Sequence, residues 1–298
     1  MKSIPESDDF LAFTAPACNR RLFILNYLEK RGVKAVVMPM NGRDHIYVIF
    51  PREMYSPLFS IKTVIAHYDR FAESPGANDN SSSVFCLMDF AVRLMSYRAP
   101  HNIRMIFTDG EELTEASGGV SAQGAFAVAT VFKRLGITNE DVYVFDCVGR
   151  GSVPILGESA VTPNAPKDLI RRFCALKERT SSLLRASSNS FVSLPMAYSD
   201  NAGFLACGIP AVAITMLPDE EASNYMLALI KNPALKAFVT NKTVPDGTSK
   251  AQLLEFLPKT WRLFHSSDDA PASLTPESFE AAAVILDAIA ALRTPAEK

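Results

Sequence analysis

After Pro57 the chain repeats one pattern: an unbroken apolar run, a stretch with helical spacing, then another apolar run. The runs are Thr63 to Ala66, Ile103 to Phe107, Val142 to Phe145 and Ala211 to Thr215. Strands without polar alternation are strands covered on both faces, and the helices between them supply the cover. The pattern therefore predicts an α/β protein with a mixed, mostly parallel β-sheet flanked by helices on both faces. Ser82 to Ser96, with serines available for capping, Gly124 to Leu135 and Lys167 to Lys177 read as the intervening helices. Thr275 and Pro276 supply a cap and a first-turn proline for a further helix through Phe279, Ala283, Ile285, Leu286, Ile289 and Leu292. Ahead of Pro57, Asn19 to Lys30 has helical spacing and stops at Gly32, while Val33 to Met38 and His45 to Phe50 read as strands. Asn41-Gly42 between them is a hairpin signal, with a connection expected to be longer than two residues.

The 298 residues, 48% of them hydrophobic, are ample for a sizeable core, and no linker or repeat divides them. A single catalytic domain over residues 1–298 is the expectation. The more polar stretch Asp219 to Leu257 reads as an insertion within it that shapes a pocket wall or a partner surface. Thirty basic and 32 acidic residues, with no block of like charge, argue against a nucleic-acid partner. The start MKSIPESDDF carries Glu6, Asp8 and Asp9 where a secretory signal needs a basic and then an apolar stretch, so a cytoplasmic location is expected. Five cysteines, Cys18, Cys86, Cys147, Cys174 and Cys207, form no C-x-x-C pair and read as reduced, mostly buried thiols. The longest uncharged run, Ala202 to Pro218, contains Gly203, Gly208, Pro210 and Pro218 and falls short of the roughly 20 residues that span a bilayer. It reads as a loop followed by a core strand, and no membrane association is expected.

In an open α/β sheet, ligands bind outside the carboxyl ends of the strands. The first run ends in AHYDRFAESPGANDNSSSV, which brings His67, Asp69 and then Asp79. The second is followed by Asp109, Glu111 and Glu112, and the third by Asp146. So many acids crowded together resist ionisation, and a divalent cation relieves them. Nitrogen and oxygen donors without thiolate suit zinc and also permit manganese or cobalt. His265, in TWRLFHSSDDAPASL, is a further candidate ligand, whereas His45 and His101 read as surface or strand-edge residues.

AHYD with GANDN, FTDGEE, VFDCVG, YSDNAGF with GIPA, and FHSSDD occur in that order. Together they resemble metallopeptidase family twenty-eight, the zinc aminopeptidases and glutamate carboxypeptidases, from about residue 61 to about residue 290. The resemblance implies a zinc-exopeptidase-like fold with two Zn2+ per chain. His67 and Asp146 would hold one ion, Glu112 and His265 the other, and Asp79 would bridge them. It further implies that Asp69 accepts the second ring proton of His67, and that Glu111 is the general base for a water activated by both ions. The implied activity is that of an aminopeptidase acting on short peptides; a homo-oligomer is left open. Two departures stand out: Ser199-Asp200-Asn201 where the family often has Ser-Asp-His, and LTEASGGVSAQ inserted between Glu112 and Gly124.

Each signal has a plainer reading when taken alone. A histidine at a strand end is commonly a satisfied polar residue, and Glu111-Glu112 could describe a solvated turn. Strand alternation turns Cys147 away from Asp146 and into the core. Met216 and Leu217 read as packing, and Trp261 as a buried helix residue. There is no G-x-S-x-G elbow, and Pro154 takes the place of the third glycine after Gly149-Arg150-Gly151, which removes serine-hydrolase and dinucleotide readings. Within the resemblance, the alternative is a glutaminyl cyclase-like acyltransferase with a single zinc, a related subgroup whose pattern places tryptophans near the metal. Ser117 and Phe264 occupy those neighbourhoods here. A non-catalytic relative serving as a binding protein is the third reading, against which all six expected ligand and base positions are filled.

Overall fold

The computed structural model describes residues 3–112, 119–159, 161, 164–241, 244 and 249–296. In chain order they form helices α1 (Asp8–Thr14) and α2 (Arg20–Glu29), then strands β1 (Lys34–Met40), β2 (Arg43–Ile49) and β3 (Lys62–His67). Next come α3 (Ser83–Leu94), β4 (Ile103–Thr108), α4 (Gly124–Arg134), β5 (Asp141–Phe145), β6 (Val153–Gly157), α5 (Lys167–Ser187) and β7 (Val192–Leu194). The chain continues through α6 (Asn201–Ala206), β8 (Ala211–Leu217), α7 (Asp219–Lys231), α8 (Pro233–Asn241), α9 (Lys250–Glu255), α10 (Lys259–Arg262) and α11 (Pro276–Ala291).

One eight-stranded sheet runs β1-β2-β4-β3-β5-β8-β6-β7. The centre, β4-β3-β5-β8, is parallel, while β1, β2 and β6 join by antiparallel pairs. Central strands alternate side chains between two apolar layers. Val64, Ala66, Met105, Phe107, Tyr143 and Phe145 face α2, α3 and α11. Ile65, Ile106, Val142 and Val144 face α4 and α6. A third cluster closes the β6 end, where Val153, Ile155 and Leu217 meet Ala222 and Tyr225 of α7 and Leu235 of α8. Because β4, β3 and β5 are neighbours and parallel, their carboxyl ends lie side by side, and that places the candidate site.

Several expectations need correction. The hairpin connection is two residues, not longer: Met40 pairs with Arg43, and Asn41 and Gly42 both take positive φ, 51° and 76°. Such a turn matches the right-handed twist of the flanking strands. The helix expected to end at Lys177 runs on to Ser187, because Thr180, Leu183 and Leu184 continue its buried stripe beyond a charged stretch. The described residues of the polar stretch 219–257, read as an insertion, are largely helical, in α7, α8 and α9, which leaves that reading as it stood.

His45 and His101 are not at the surface; both are fully buried. His45 Nδ1 accepts the Asp109 N–H at 3.2 Å, and His101 Nδ1 accepts the Ile103 N–H at 2.9 Å while its ring packs edge-on to Phe50 at 4.9 Å. Burial pulls both imidazoles from their ordinary 6.5 down to about 4, assisted by Arg43 for His45 and by Lys62 and Arg293 for His101. Over that window the unfolded chain binds a proton that the folded chain refuses, so stability falls as pH drops. His101→Gln is expected to flatten the dependence of the urea midpoint on pH between 6.5 and 4; an unchanged slope would show that His101 titrates normally.

Candidate metal centre

β3 ends at His67, buried with no exposed surface. Its Nδ1 lies 3.4 Å from Asp69 Oδ1, and its Nε2 lies 3.3 Å from Asp79 Oδ1 and 3.5 Å from Asp146 Oδ1. Asp146 follows the last residue of β5, and Asp79 sits in the single wide turn Ala77–Ser82 that leads into α3. The other oxygen of Asp79, Oδ2, stands 3.5 Å from His265 Nε2, which is also 2.9 Å from Glu112 Oε2. Asp79 thus faces one histidine with each oxygen. Two donor groups result, His67, Asp79 and Asp146, and Asp79, Glu112 and His265, each with its atoms within 4.8 Å of one another. Glu111 lines the same cavity. The seven residues that the resemblance implies for the site are therefore brought together, whereas Asp109, also at the end of β4, accepts the Asp44 N–H at 3.2 Å.

The charges explain what such a cluster wants. Burial opposes protonation of His67, yet Asp146, Asp69 and Asp79 overcome it and hold the imidazole well above its ordinary range. Hydrogen bonding to Asp79 and Glu112 lifts His265 to about 10. Burial pushes Glu111 and Glu112 up, with Asp79 adding to both. Burial likewise lifts Asp200 to about 7. His67 Nε2 and Glu112 Oε1 are buried without a hydrogen-bond partner among the described residues. Orphaned donor atoms of imidazole and carboxylate type, with surplus negative charge, fit a divalent cation of the zinc class.

The turns that carry the acids are held from behind, by Asp69 and by residues the sequence reading assigned no role. Asp69 accepts the N–H groups of Glu111 (3.2 Å) and Glu112 (2.9 Å), so it ties the end of β4 to that of β3 as well as facing His67. Asp269 is buried and accepts the N–H groups of Asn78 (2.8 Å) and Asp79 (3.0 Å), linking the His265 turn to the Asp79 turn. Asn80 brackets Asp146: its amide donates to Phe145 O and accepts from Cys147 N, each at 3.0 Å. Arg20, from α2, donates to Tyr68 O, Asp69 O, Pro75 O, Gly76 O and Ser81 Oγ. Gly76 has φ +58°, and a Cβ there would stand 2.5 Å from Asp79 O. Asp269 and Asn80 lie inside FHSSDD and GANDN, so those segments were their signal. Arg20 has no local signal, being 49 residues from Asp69.

A cavity of about 340 Å3 opens beside the cluster. Its acidic side is Asp79, Glu111, Glu112 and Asp146; its apolar side includes Met196, Tyr198, Phe238, Leu257, Trp261 and Phe264. Phe238 and Leu257 come from the 219–257 stretch. Cys147 is a correction: it follows β5 with φ +58°, so strand alternation does not apply, and its Sγ donates to Asp146 Oδ1 at 3.1 Å inside the same cavity. Trp261 is only partly buried, because it walls this space. Met216 and Leu217 are packing residues, fully buried. Asn201 turns away from the ligands, donating to Ser159 Oγ at 2.8 Å, while its neighbour Asp200 is buried against the Thr108 hydroxyl. Ser117 lies outside the described residues. Among the described residues no helix is long and apolar enough to cross a membrane.

Parallel strands whose carboxyl ends present histidine and carboxylates to one cavity define an α/β fold with a metal-type donor centre. The chain belongs to peptidase family M28, whose sequence model matches residues 60–289. No curated protein sequence matches. Among solved structures, the Legionella pneumophila LapA aminopeptidase is 16% identical with a TM-score of 0.61, over 95% of this chain and 69% of that one. A Tannerella forsythia glutaminyl cyclase is also 16% identical with a TM-score of 0.61, over 95% of both chains. BSAP, a zinc aminopeptidase from Bacillus subtilis, is 18% identical with a TM-score of 0.53; 83% of this chain matches, spanning 48% of that chain, about half its length. At these identities the likeness is one of fold.

Arg20→Ala removes five hydrogen bonds from the turn that carries Asp69 and Asp79. It is expected to lower stability by about 3 kcal/mol and to weaken zinc binding about 10- to 100-fold. Denaturant titration and competition with a chromophoric chelator would measure both, and unaltered zinc affinity would show that the turn keeps its shape unaided.

Proposed function

We propose that this chain is a metal-dependent exopeptidase, an aminopeptidase that hydrolyses short peptides, with residues 1–298 forming one catalytic domain and 219–257 an insertion that walls its cavity. The observation that carries this is Asp79, which offers one oxygen to each of two histidine-containing donor groups beside Glu111. His67, Asp79 and Asp146 would hold one zinc ion, and Asp79, Glu112 and His265 a second. When bound, such ions supply positive charge that polarises the scissile carbonyl and acidifies water. Asp69 keeps the His67 Nδ1–H oriented, leaving Nε2 free as a donor. Glu111 takes the proton of the attacking water and returns it to the leaving amine, a task suited to a carboxylate whose basicity burial has raised. The cavity wall carries no lysine or arginine among the described residues, so it offers no such cation to pair with a carboxylate terminus, which favours a substrate read from its amino end. The apolar side receives the substrate's first side chain.

The second reading, a glutaminyl cyclase-like acyltransferase, is favoured by one observation. Trp261 lines the cavity, and indole beside the metal belongs to that subgroup's pattern. Cyclisation needs the same proton carrier but excludes water, and the similarity to the Tannerella cyclase extends over the whole fold.

Zinc-loaded protein is expected to release amine from aminoacyl amides and to lose that activity on chelation. Turnover confined to glutaminyl peptides, with loss of ammonia, would transfer the assignment to the second reading, and inertness to both would favour a binding protein. Glu111→Gln is expected to retain zinc while lowering kcat about 10²- to 10⁴-fold; near-normal turnover would remove Glu111 from the mechanism.

A further inference from the structure

Gln123 stands at the amino end of α4 in the position that normally caps a helix, yet its side chain makes no cap bond. Glutamine is a poor choice there, where serine, threonine, aspartate or asparagine would satisfy an exposed helix N–H. Its Nε2 instead donates to Glu111 Oε1 at 3.2 Å, the one hydrogen bond that the Glu111 carboxylate receives among the described residues. The remaining polar atom, Oε1, is buried with no hydrogen-bond partner among the described residues. An orphaned buried carbonyl is a net loss to folding, and a residue that carries one is retained for another reason.

The backbone independently fixes this contact. Gly124 N–H donates to Gly110 O at 3.1 Å, stapling the residue after Gln123 to the residue before Glu111. The approach is so close that a Cβ on Gly124 would lie 1.8 Å from Asp109 O. Gln123 N–H is meanwhile held by Val120 O at 3.2 Å. Glu111 and Gln123 are thus set opposite each other by main-chain geometry, although 12 residues apart in sequence.

From this geometry we infer that Gln123 is a positioning residue for Glu111: its amide holds one carboxylate oxygen and so aims the other into the cavity, at the expense of helix capping and of a buried carbonyl. The inference rests on the proposed role of Glu111 as proton carrier. The glutamine acts through Glu111 and takes no proton itself, so its loss changes the rate of proton transfer rather than the grip on substrate.

The test uses Gln123→Met, close in volume and unable to donate, and Gln123→Glu, which keeps the shape but sets a second carboxylate against Glu111. In zinc-loaded protein both are expected to lower kcat about 10- to 100-fold with KM within about threefold, as outer partners of catalytic groups do. The acid limb of the kcat/KM profile should move to higher pH, further for Gln123→Glu, because the charged form of Glu111 has lost its donor. Zinc content should stay the same, and Gln123→Met should melt no lower than the parent. Unchanged kcat and pH profile, or a rate loss accompanied by zinc loss and a lower Tm, would overturn the inference. A readout independent of turnover separates it from the peptidase reading: in a crystal structure of Gln123→Met the Glu111 carboxylate should leave its parent orientation while the main chain of residues 109–112 stays in place. The parent orientation kept in the variant overturns the positioning role. A parent protein inert toward aminoacyl amides and glutaminyl peptides overturns only the proposed activity.

Discussion

Mutual repulsion of buried acids is the constraint around which this molecule is arranged. Asp69, Asp79, Glu111, Glu112, Asp146 and Asp200 share one region with two imidazoles, His67 and His265. Two like charges about 4 Å apart repel by roughly 4 kcal/mol at an effective dielectric of 20, so a cluster of this size cannot stay ionised without a counter-charge. Burial lifts Asp200 to about 7, which favours its neutral form, and both oxygens of Asp79 face histidines. A divalent cation in each donor group would complete the neutralisation.

Assembling like charges requires that the main chain be held by something other than the acids. Arg20 supplies five hydrogen bonds to the turn from Tyr68 to Ser81, Asp269 holds the N–H groups on either side of the Asn78–Asp79 link, and Asn80 clasps the chain before and after Asp146. All of these contacts but the one to the Ser81 hydroxyl go to peptide groups, so the candidate ligand side chains remain free to face the cavity. The division of labour is general in such sites: outer partners orient, and inner groups bind and react. Asp69 and Gln123 both hold Glu111, the proposed proton carrier, one through its main chain and the other through its carboxylate.

Continuous apolar runs ending in His67, Thr108 and Phe145 made the parallel centre of the sheet legible, because period-two alternation is lost only where both faces are covered. Less legible were the places where context overrode local pattern. The charged stretch after Lys177 stays helical because Leu183 and Leu184 are buried. His45 and His101 looked like surface residues because a histidine's burial depends on partners that arrive from other strands. Cys147 escaped the alternation rule because the chain leaves β5 one residue earlier and turns left-handed.

The order of elements and the acids and His67 at the strand ends follow from the linear sequence, since each is a local property of a run and of what terminates it; the division into two ligand groups was implied only by the resemblance of the ordered motifs. The clamping by Arg20, the contact of Gln123 with Glu111 and the apolar cavity wall built from Met196, Phe238 and Trp261 were decided by tertiary structure alone. Those contacts join residues tens of positions apart through hydrogen bonds and packing, and no periodicity or spacing along the chain encodes which distant groups the folded sheet brings within reach.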